Sequence, residues 1–448
     1  MPGASTRSAE LSPSKAATGR EPGAIYKAGM TREEWNKAVR FDGSDWGWVI
    51  LSIGMAIGAG IVFLPVQVGL QGLWVFLLSS IIGYPGLYLF QRLFINTLSQ
   101  SPRCADYPDI ISGYLGKNWG ALLGVLYFAM NCIWVFVYST ALNNDSASFL
   151  QSFGVTASPL SRNPLYGLAL LCGLVAVASR GEKLLFKVSS FLVLTKLCII
   201  VALGSIMVSR WNFANIGIIP PISELIPKAV VMLPFTLTSI LFLQSLSPMV
   251  ISYRARFSSV EVARHKALRT MNIAFAALFI TVFSYAVSFT LAISHAQAVE
   301  AYQENISALA MVAQNMAGRS LRILSLILNL FAVITAFFSV YLGFSEAVRG
   351  LSVNALRRFM PEESINKKAL TAGVILFSIL VPWGAILLNA PVLSYTSICS
   401  PIFGLIGCLI PAYMVYKVPF LHVFRGPVLL FIIFIGLILV ISPFLAFS

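Results

Sequence analysis

Long apolar segments recur along the chain and are separated by shorter polar ones. Each is close to the roughly 20 residues that a helix needs to cross about 30 Å of bilayer hydrocarbon. The pattern predicts eleven membrane spans, near residues 46–70, 73–96, 119–142, 164–180, 184–208, 228–252, 271–294, 321–346, 369–389, 392–416 and 427–446. Because the fourth segment is short and the third and eighth are long, ten or twelve spans also fit. The predicted fold class is an all-α integral membrane protein.

Composition and charge agree with this class. The chain has 448 residues, of which 58% are hydrophobic and 11% charged, and one soluble core could not bury so much apolar surface. If the N-terminus is cytoplasmic and the spans alternate, most Lys and Arg fall on the cytoplasmic side, so we expect the C-terminus on the opposite side. The basic residues are spread over separate loops, so the net charge of +14 does not indicate nucleic-acid binding.

The order of the spans predicts four regions. Residues 1–45 are predicted to form a polar, disordered cytoplasmic tail without the apolar core of a signal peptide. Thr31 and Glu34 in it are spaced for the capping box of a short surface helix. Spans one to five occupy residues 46–208, spans six to ten residues 228–416, and the eleventh span residues 427–446. The long segment between the seventh and eighth spans is predicted to be a part-helical external lid.

The first span contains SIGMAIGAGIVFLP, Ser52 to Pro65, with glycines near its centre. Each glycine weakens a helix interior by about 1 kcal/mol relative to alanine, and non-helical backbone in a membrane survives only inside protein or beside a wet cavity. Unwinding at Gly58, Ala59 and Gly60 would free amide and carbonyl groups for the carboxylate and ammonium of a zwitterion. Close packing against a neighbouring helix explains the glycines equally well.

The sixth span, VVMLPFTLTSILFLQSLSPMVISY, is interrupted by Pro234 and Pro248. Proline removes a backbone hydrogen bond and strains the preceding turn. This span lies five after the first. Because five is odd, a five-span repeat must be inverted in the membrane, and broken helices at matching positions of two such halves point to a transporter site. Gln244 and Ser245 are then candidates to recognise a polar substrate. The alternative is a proline kink whose freed backbone groups bond to hydroxyls.

Two further spans carry polar residues that could reach such a site. In the third span, Tyr127, Asn131, Trp134 and Tyr138 recur at helical spacing, and this face either lines the site or bonds between helices. In the eighth span, Ser339 lies on a face of small residues, for which close packing is the simpler explanation. Ser339 could still offer its hydroxyl to an ion or to a lysine.

Lys196, in the fifth span, is the ionisable residue that bears most on mechanism. It lies about 18 Å along the helix from Leu184, too far to reach the cytoplasmic edge readily. A charge at mid-membrane costs roughly 3 kcal/mol or more and is a functional hypothesis by default. Changes in solvation change the proton affinity of an amine, so conformational change could load and release a proton. We favour proton coupling over a purely structural ion.

The chemistry of an enzyme is not evident in the sequence. It shows no paired carboxylates, no metal-ligand cluster and no nucleophile triad, so we expect no catalytic residues, no metal and no cofactor beyond a coupling ion. An uncoupled channel or a membrane-bound sensor is the alternative from another class. The expected partners are a small neutral amino acid and the lipid bilayer, with no obligatory protein partner.

Several stretches resemble signature segments of the hydroxy and aromatic amino acid permeases, particularly the bacterial serine/threonine:proton symporters. They are IGMAIGAGIVFLP, WNFANIG, SLSPMVISY, TAFFSVYLGFSE and SPIFGLIGCLIPAYMVYK, and the similarity runs from about Trp46 to the C-terminus. The resemblance implies a bacterial inner-membrane protein with two inverted five-span repeats, broken first and sixth helices, and an eleventh helix. It also implies that two broken segments hold the substrate, here Ile57, Gly58, Ala59, Gly60 and Ile61, and Leu241, Phe242, Gln244 and Ser245.

This chain departs from the serine/threonine branch in its eighth span. That branch usually has KSFFGHYLG there, where this chain has TAFFSVYLG, and the fifth span carries Lys196, as in other proton-coupled members of the amino acid/polyamine/organocation superfamily. We therefore expect a secondary transporter that imports a small neutral amino acid, serine first and cysteine or threonine next, by proton symport. An aromatic amino acid permease, sodium coupling and obligatory exchange are the alternatives.

Overall fold

The computed structural model of the chain describes residues 21–101, 107–179, 182–315, 318–356, 361, 364–389 and 391–447. Within these ranges all regular secondary structure is helical. The first twenty residues of the predicted tail lie outside them. The α-helices are α1 Glu21–Ala28, α2 Arg32–Ala38, α3 Gly43–Ala56, α4 Ala59–Gln71, α5 Leu73–Ser99, α6 Tyr107–Leu115, α7 Lys117–Ser152, α8 Pro164–Ala178, α9 Glu182–Met207, α10 Ile222–Thr238, α11 Leu243–Arg256, α12 Val260–Ala292, α13 His295–Gln303, α14 Ala308–Asn315, α15 Arg319–Leu356, α16 Lys367–Leu388, α17 Val392–Phe403, α18 Ile410–Lys417 and α19 Pro427–Ala446.

Eight helical segments in the described ranges are long and apolar enough to cross a membrane, and two bent pairs of helices raise this number to ten. The bent pairs are α3 with α4, at 45°, and α10 with α11, at 42°. The eight are α5, α7, most of α9, α12, α15, α16, α19 and the segment Val392–Lys417, where a π-helical turn joins α17 to α18. The predicted fourth span is α8, whose 15 residues are short for a straight crossing.

Several helices extend past the limits that hydropathy predicts, including α15, which continues to Leu356 instead of ending near residue 346. α7 continues to Ser152, well beyond residue 142, because the polar residues in its last turns are buried and bonded to other elements. α12 begins at Val260 rather than at residue 271. Its first turns are basic but amphipathic, and they bury Val262 and Ala263 against the bundle. Hydropathy alone therefore underestimates the length of helices whose ends pack against protein instead of lipid.

Residues 21–45 of the N-terminal tail contain helices α1 and α2 and pack on the bundle, so the predicted disorder is wrong for this part. The predicted capping box at the start of α2 is confirmed: the Thr31 hydroxyl accepts the Glu34 amide at 3.3 Å, and the Glu34 carboxylate accepts the Thr31 amide at 2.9 Å. Trp35 and Val39 are buried beside Val262 of α12. The tail is therefore tied to the start of α12.

Helices α13 and α14 form a compact excursion between α12 and α15, here called the lid (residues 295–315). Residues 308–313 of the lid are fully buried. The Nδ1 atom of His295 lies 2.8 Å from the carbonyl oxygen of Gly69 near the end of α4, and a Cβ atom on Gly69 would lie 2.6 Å from that of Ala298. The lid is therefore packed closely onto the second half of the broken first span.

Candidate substrate and coupling site

The helix break in the first span lies at Ile57 and Gly58. α3 ends at Ala56, and Ile57 is extended, with φ −79° and ψ 90°. Gly58 has φ −142° and ψ −149° and caps α4, which begins at Ala59. Unwinding is therefore present at Gly58, as predicted, but the prediction is wrong for Ala59 and Gly60, which form the first turn of α4. The first amides of that turn still lack helical acceptors.

The break in the sixth span packs directly against the first. α10 ends at Thr238, and a short connection leads to the start of α11 at Leu243. A Cβ atom on Gly60 would lie 2.8 Å from the Thr238 carbonyl oxygen and 3.3 Å from the Cα atom of Ser239. Because these are backbone atoms, only glycine fits at residue 60 without displacing a helix end. Close packing therefore explains the glycine at residue 60. Gly60 packs against the break in the sixth span, at Thr238 and Ser239.

A cavity of about 100 Å³ lies between the two breaks, α7 and α15. Five of the predicted site residues line it, namely Gly60, Asn131, Leu241, Gln244 and Ser339. Trp134 and Tyr138, from the predicted polar face of the third span, line it as well. The cavity therefore presents amides, a hydroxyl and aromatic rings to a small polar ligand.

The other predicted site residues lie around this cavity rather than on its surface. The side chains of Ile57, Ile61, Phe242 and Ser245 are fully buried in protein, and the side chain of Ala59 lies outside the described residues. Gly58 is closed off by its neighbours, because a Cβ atom there would lie 2.9 Å from the Tyr138 hydroxyl and 3.1 Å from the Cβ atom of Ala336. Any substrate contact from these residues would have to come from the main chain.

Ser245 joins the two broken spans. Its hydroxyl lies 2.9 Å from that of Ser52 in α3 and 2.8 Å from the carbonyl oxygen of Phe242, to which it donates. The Ser52 hydroxyl is therefore the donor in the contact between the two serines, since each hydroxyl carries one proton. The Ser245 side chain thus connects α11 to α3. It does not line the cavity.

Lys196, on α9, reaches the end of α3 at the break. Its Nζ atom lies 3.1 Å from the carbonyl oxygen of Ile57, 3.4 Å from that of Gly54 and 2.9 Å from the Thr335 hydroxyl oxygen. The lysine side chain is completely buried. Carbonyl groups at a helix C-terminus lack helical donors and carry partial negative charge, so they are suited to a cation. The lysine therefore links α3, α9 and α15 through one nitrogen atom.

Thr335 is a site residue that the sequence analysis did not identify. Its hydroxyl donates to the carbonyl oxygen of Phe331 and so accepts from the Lys196 amine. Ser339, one turn along α15, donates to the Thr335 carbonyl oxygen at 3.0 Å and lines the cavity instead of contacting the lysine. One feature of the sequence does point to Thr335. It is the first residue of TAFFSVYLG, at the position where the serine/threonine branch usually has lysine.

Asp145, near the end of α7, is a second residue that the sequence analysis missed. Its carboxylate accepts the Ser307 amide at 2.8 Å and the Asn329 side-chain amide at 2.6 Å, and Asn329 also donates to the Ser307 hydroxyl at 2.8 Å. All three residues are buried. Hydropathy predicts that the third span ends at residue 142, which puts Asp145 in a loop, whereas α7 continues to Ser152. In the structure Asp145 ties the lid to α7 and α15.

A further polar cluster joins the other ends of the broken spans. The Lys266 amine lies 2.8 Å from the Asp45 carboxylate, with both side chains buried, and the Tyr253 hydroxyl donates to the same carboxylate at 2.5 Å. Desolvation acts to raise the pKa of nearby Asp42, but hydrogen bonds from Arg256 and from backbone amides outweigh it, so this pKa lies below its ordinary value. The cluster connects α3 to α11 and α12 where they leave the bundle.

The cavity is partly exposed at two of the side chains that line it. Gln244 and Ser339 are exposed, whereas Trp134 and Tyr138 are buried. In the described ranges, no group of three or more His, Cys, Asp or Glu side chains could hold a metal ion. The main-chain groups and neutral polar side chains that line the cavity are the groups that could hold a small ligand.

Comparison with known proteins gives relatives along almost the whole chain. A probable serine transporter of Escherichia coli strain K12 is 65% identical over 425 residues, covering 94% of this chain and 96% of that protein. The serine transporter SdaC of the same strain is 26% identical over 422 residues, covering 92% and 96%. The threonine/serine transporter TdcC of Yersinia enterocolitica is also 26% identical over 422 residues, covering 89% and 95%. No family model matches the chain.

These relatives decide between the classes of protein that the sequence left open. They are transporters and not enzymes, and the match at 65% identity covers 94% of this chain. With its long apolar helices, the chain is a multi-pass membrane protein of the transporter class. It belongs to the family of the serine and threonine transporters, the hydroxy and aromatic amino acid permeases.

Proposed function

We propose that this chain imports a small neutral amino acid across a bacterial inner membrane by proton symport, with serine as the first substrate and cysteine and threonine next. The observation that carries the proposal is the small polar cavity between the two helix breaks, beside a buried lysine. The printed names of the relatives, serine and threonine/serine transporter, support the substrate class. The N-terminus is cytoplasmic in this proposal, as the distribution of basic residues predicts.

The broken helices supply the groups that a zwitterion requires. The free amides of the first turn of α4 hold the carboxylate, as anions bind at helix N-termini. Carbonyl groups at the ends of α3 and α10 hold the ammonium. The Ile57 to Ile61 segment therefore binds through its main chain. The Asn131 and Gln244 side chains lie on the cavity wall, where they recognise the substrate hydroxyl.

The size of the cavity favours serine over an aromatic amino acid. Its volume is about 100 Å³. A protein cavity of about 150 Å³ holds one benzene molecule, so an indole or phenol ring together with an amino acid backbone would not fit here. Cysteine and threonine differ from serine by one heteroatom or one methyl group, a difference worth only about 1–3 kcal/mol in a pocket. The aromatic alternative thus requires a rearranged cavity.

Lys196 provides the proton coupling. As an ammonium it donates one hydrogen to each of the three oxygens around it, from Gly54, Ile57 and Thr335. A neutral amine has two hydrogens, so after deprotonation it can donate to only two of these three oxygens at once. The contact between α3, α9 and α15 therefore depends on the proton. The ammonium also occupies the space that a sodium ion would need at these carbonyls, and this disfavours sodium coupling.

The proposed fold is the five-plus-five inverted repeat, with residues 46–208 and 228–416 as its halves and α19 as the eleventh span. The two bent pairs stand at the first position of each half, as such a repeat requires. In this arrangement α8 is the fourth span and the C-terminus lies outside.

Uptake of labelled L-serine into proteoliposomes, in sodium-free buffer, tests the proposal. Saturable accumulation driven by an inward proton gradient and collapsed by a protonophore is the expected result. Uptake that does not saturate would indicate a channel. Tryptophan competing where serine fails would favour the aromatic alternative, and a requirement for sodium would contradict proton symport.

A further inference from the structure

A large basic cavity lies at the end of the bundle where α5 ends and α19 begins. Its volume is about 660 Å³, within the range of about 300–1,000 Å³ typical of ligand pockets. A second cavity of about 300 Å³ adjoins it and shares Arg92, Glu261 and Arg264. Neither cavity shares a lining residue with the candidate substrate site. This region is therefore separate from the candidate substrate site.

The charge of the larger cavity is strongly positive. The described residues that line it include four basic side chains and one acidic side chain, namely Lys27, Arg92, Arg264, Arg425 and Glu261. Glu261 is already paired with Arg264 at 3.2 Å. In the part of the chain that the structure describes, no carboxylate forms an ion pair with Arg92. The cavity thus has unused positive charge for an anionic ligand.

One wall of the same cavity is apolar and continues onto the outer surface of α19. Leu89 and Leu93 of α5 and Val428 and Leu429 of α19 form this wall. Val428 is 51% exposed, and Leu430 beside it is 61% exposed. α19 contains the most apolar stretch among the eight single spanning segments described. The cavity therefore adjoins an exposed apolar surface of α19, as a site for an acyl chain requires.

We propose that this cavity binds an anionic phospholipid, with the phosphate among Arg92, Arg264 and Lys27 and an acyl chain along α5 and α19. Basic pockets between the ends of membrane helices bind such headgroups, and arginine matches phosphate oxygens with paired donors. A free phosphate ion would use the arginines but not the apolar wall. The chain's own tail is a poor occupant, since its first twenty residues carry Arg7, Lys15 and Arg20 but only one acidic residue, Glu10.

Lipid titration of the full-length chain tests this proposal. In phosphatidylcholine nanodiscs with increasing phosphatidylglycerol, native mass spectrometry would count bound phosphatidylglycerol. Arg92→Gln is expected to weaken apparent binding about fivefold, the effect of one basic residue near an anionic surface. The matched control is Arg349→Gln, which removes the same charge from an exposed site on α15 outside both cavities and should leave binding unchanged.

Three results would overturn the proposal. Equal losses in Arg92→Gln and Arg349→Gln would show a general surface-charge effect. Displacement of the lipid by millimolar inorganic phosphate would show a phosphate site. No preference for phosphatidylglycerol over phosphatidylcholine would show that the cavity does not select anionic lipid. If Arg92→Gln does not fold, Lys27→Gln on the exposed face of α1 takes its place, with weaker lipid binding expected. None of these results depends on which amino acid is transported.

Discussion

The Nζ atom of Lys196 lies 3.1 Å from the carbonyl oxygen of Ile57, the residue at which the first span leaves its helical path. The carbonyl groups at the end of α3 have no helical donors, and the buried amine is out of contact with solvent. The hydrogen bond between them therefore supplies a donor to the helix end and an acceptor to the amine. Thr335 adds a hydroxyl from α15 to the same nitrogen. The position of the break and the protonation of the lysine are thus physically linked.

Gly60→Ala should impair both folding and serine binding. The added Cβ atom would lie 2.8 Å from the Thr238 carbonyl oxygen, and a helix end must move to relieve this contact. Overpacking of this kind costs about 1–3 kcal/mol. Thermal unfolding and equilibrium binding of labelled serine in detergent measure the two effects. Gly124→Ala is the matched control, because nothing lies within 4 Å of a Cβ atom there. Equal behaviour of the two variants would contradict close contact between the breaks.

Thr335→Val should weaken proton-driven accumulation, whereas Thr335→Ser should restore it. Valine keeps the shape of threonine but leaves one Lys196 hydrogen without an acceptor, at a cost of about 1–3 kcal/mol. The expected result is a loss of about tenfold in the accumulation ratio, with serine counterflow retained. The measurement is uptake at several external pH values. The role assigned to the hydroxyl fails if valine and serine variants accumulate substrate equally.

Asp145→Asn should loosen the lid. The amide group that replaces one carboxylate oxygen is a donor, and both groups that face it, the Ser307 amide and the Asn329 amide, are donors too. An unsatisfied buried group costs about 1–3 kcal/mol, so the melting temperature should fall by several degrees. Limited proteolysis between residues 295 and 315 reports on the lid itself. Glu304→Gln, an exposed change in the lid, is the control, and identical cleavage of the two variants would refute the anchoring role.

The apolar pattern predicted the helical membrane class because the bilayer imposes length and composition on every span. The first break was visible at Gly58, but the second lies between Pro234 and Pro248, which are inside α10 and α11 rather than at the break. The sequence did not reveal that Gly60 packs against the second break rather than lying in the first. The contact of Gly60 with the second break depends on how two helices that are distant in sequence pack together, so the residues around Gly60 do not predict it.

The residues missed by sequence reasoning are those whose role depends on a tertiary partner. Thr335 is an ordinary helical threonine until Lys196 is placed beside it. Asp145 looked like a loop residue, because a carboxylate normally ends an apolar segment, and only the lid supplies the donors that let it be buried. Ser339 was one possible hydroxyl partner for an ion or a lysine, whereas in the structure the hydroxyl that contacts Lys196 belongs to Thr335, one turn earlier on α15.

The most direct test of the proposed mechanism is transport by Lys196→Met in proteoliposomes, which keeps side-chain length but removes the titrating amine. Two quantities are compared with the unmodified chain: accumulation of labelled L-serine under an inward proton gradient, and counterflow of serine without a gradient. Lys368→Met, at an exposed position on α16, is the control. We predict that Lys196→Met retains counterflow but no longer accumulates serine against its gradient. Full proton-driven accumulation by this variant would contradict the role of Lys196 in coupling.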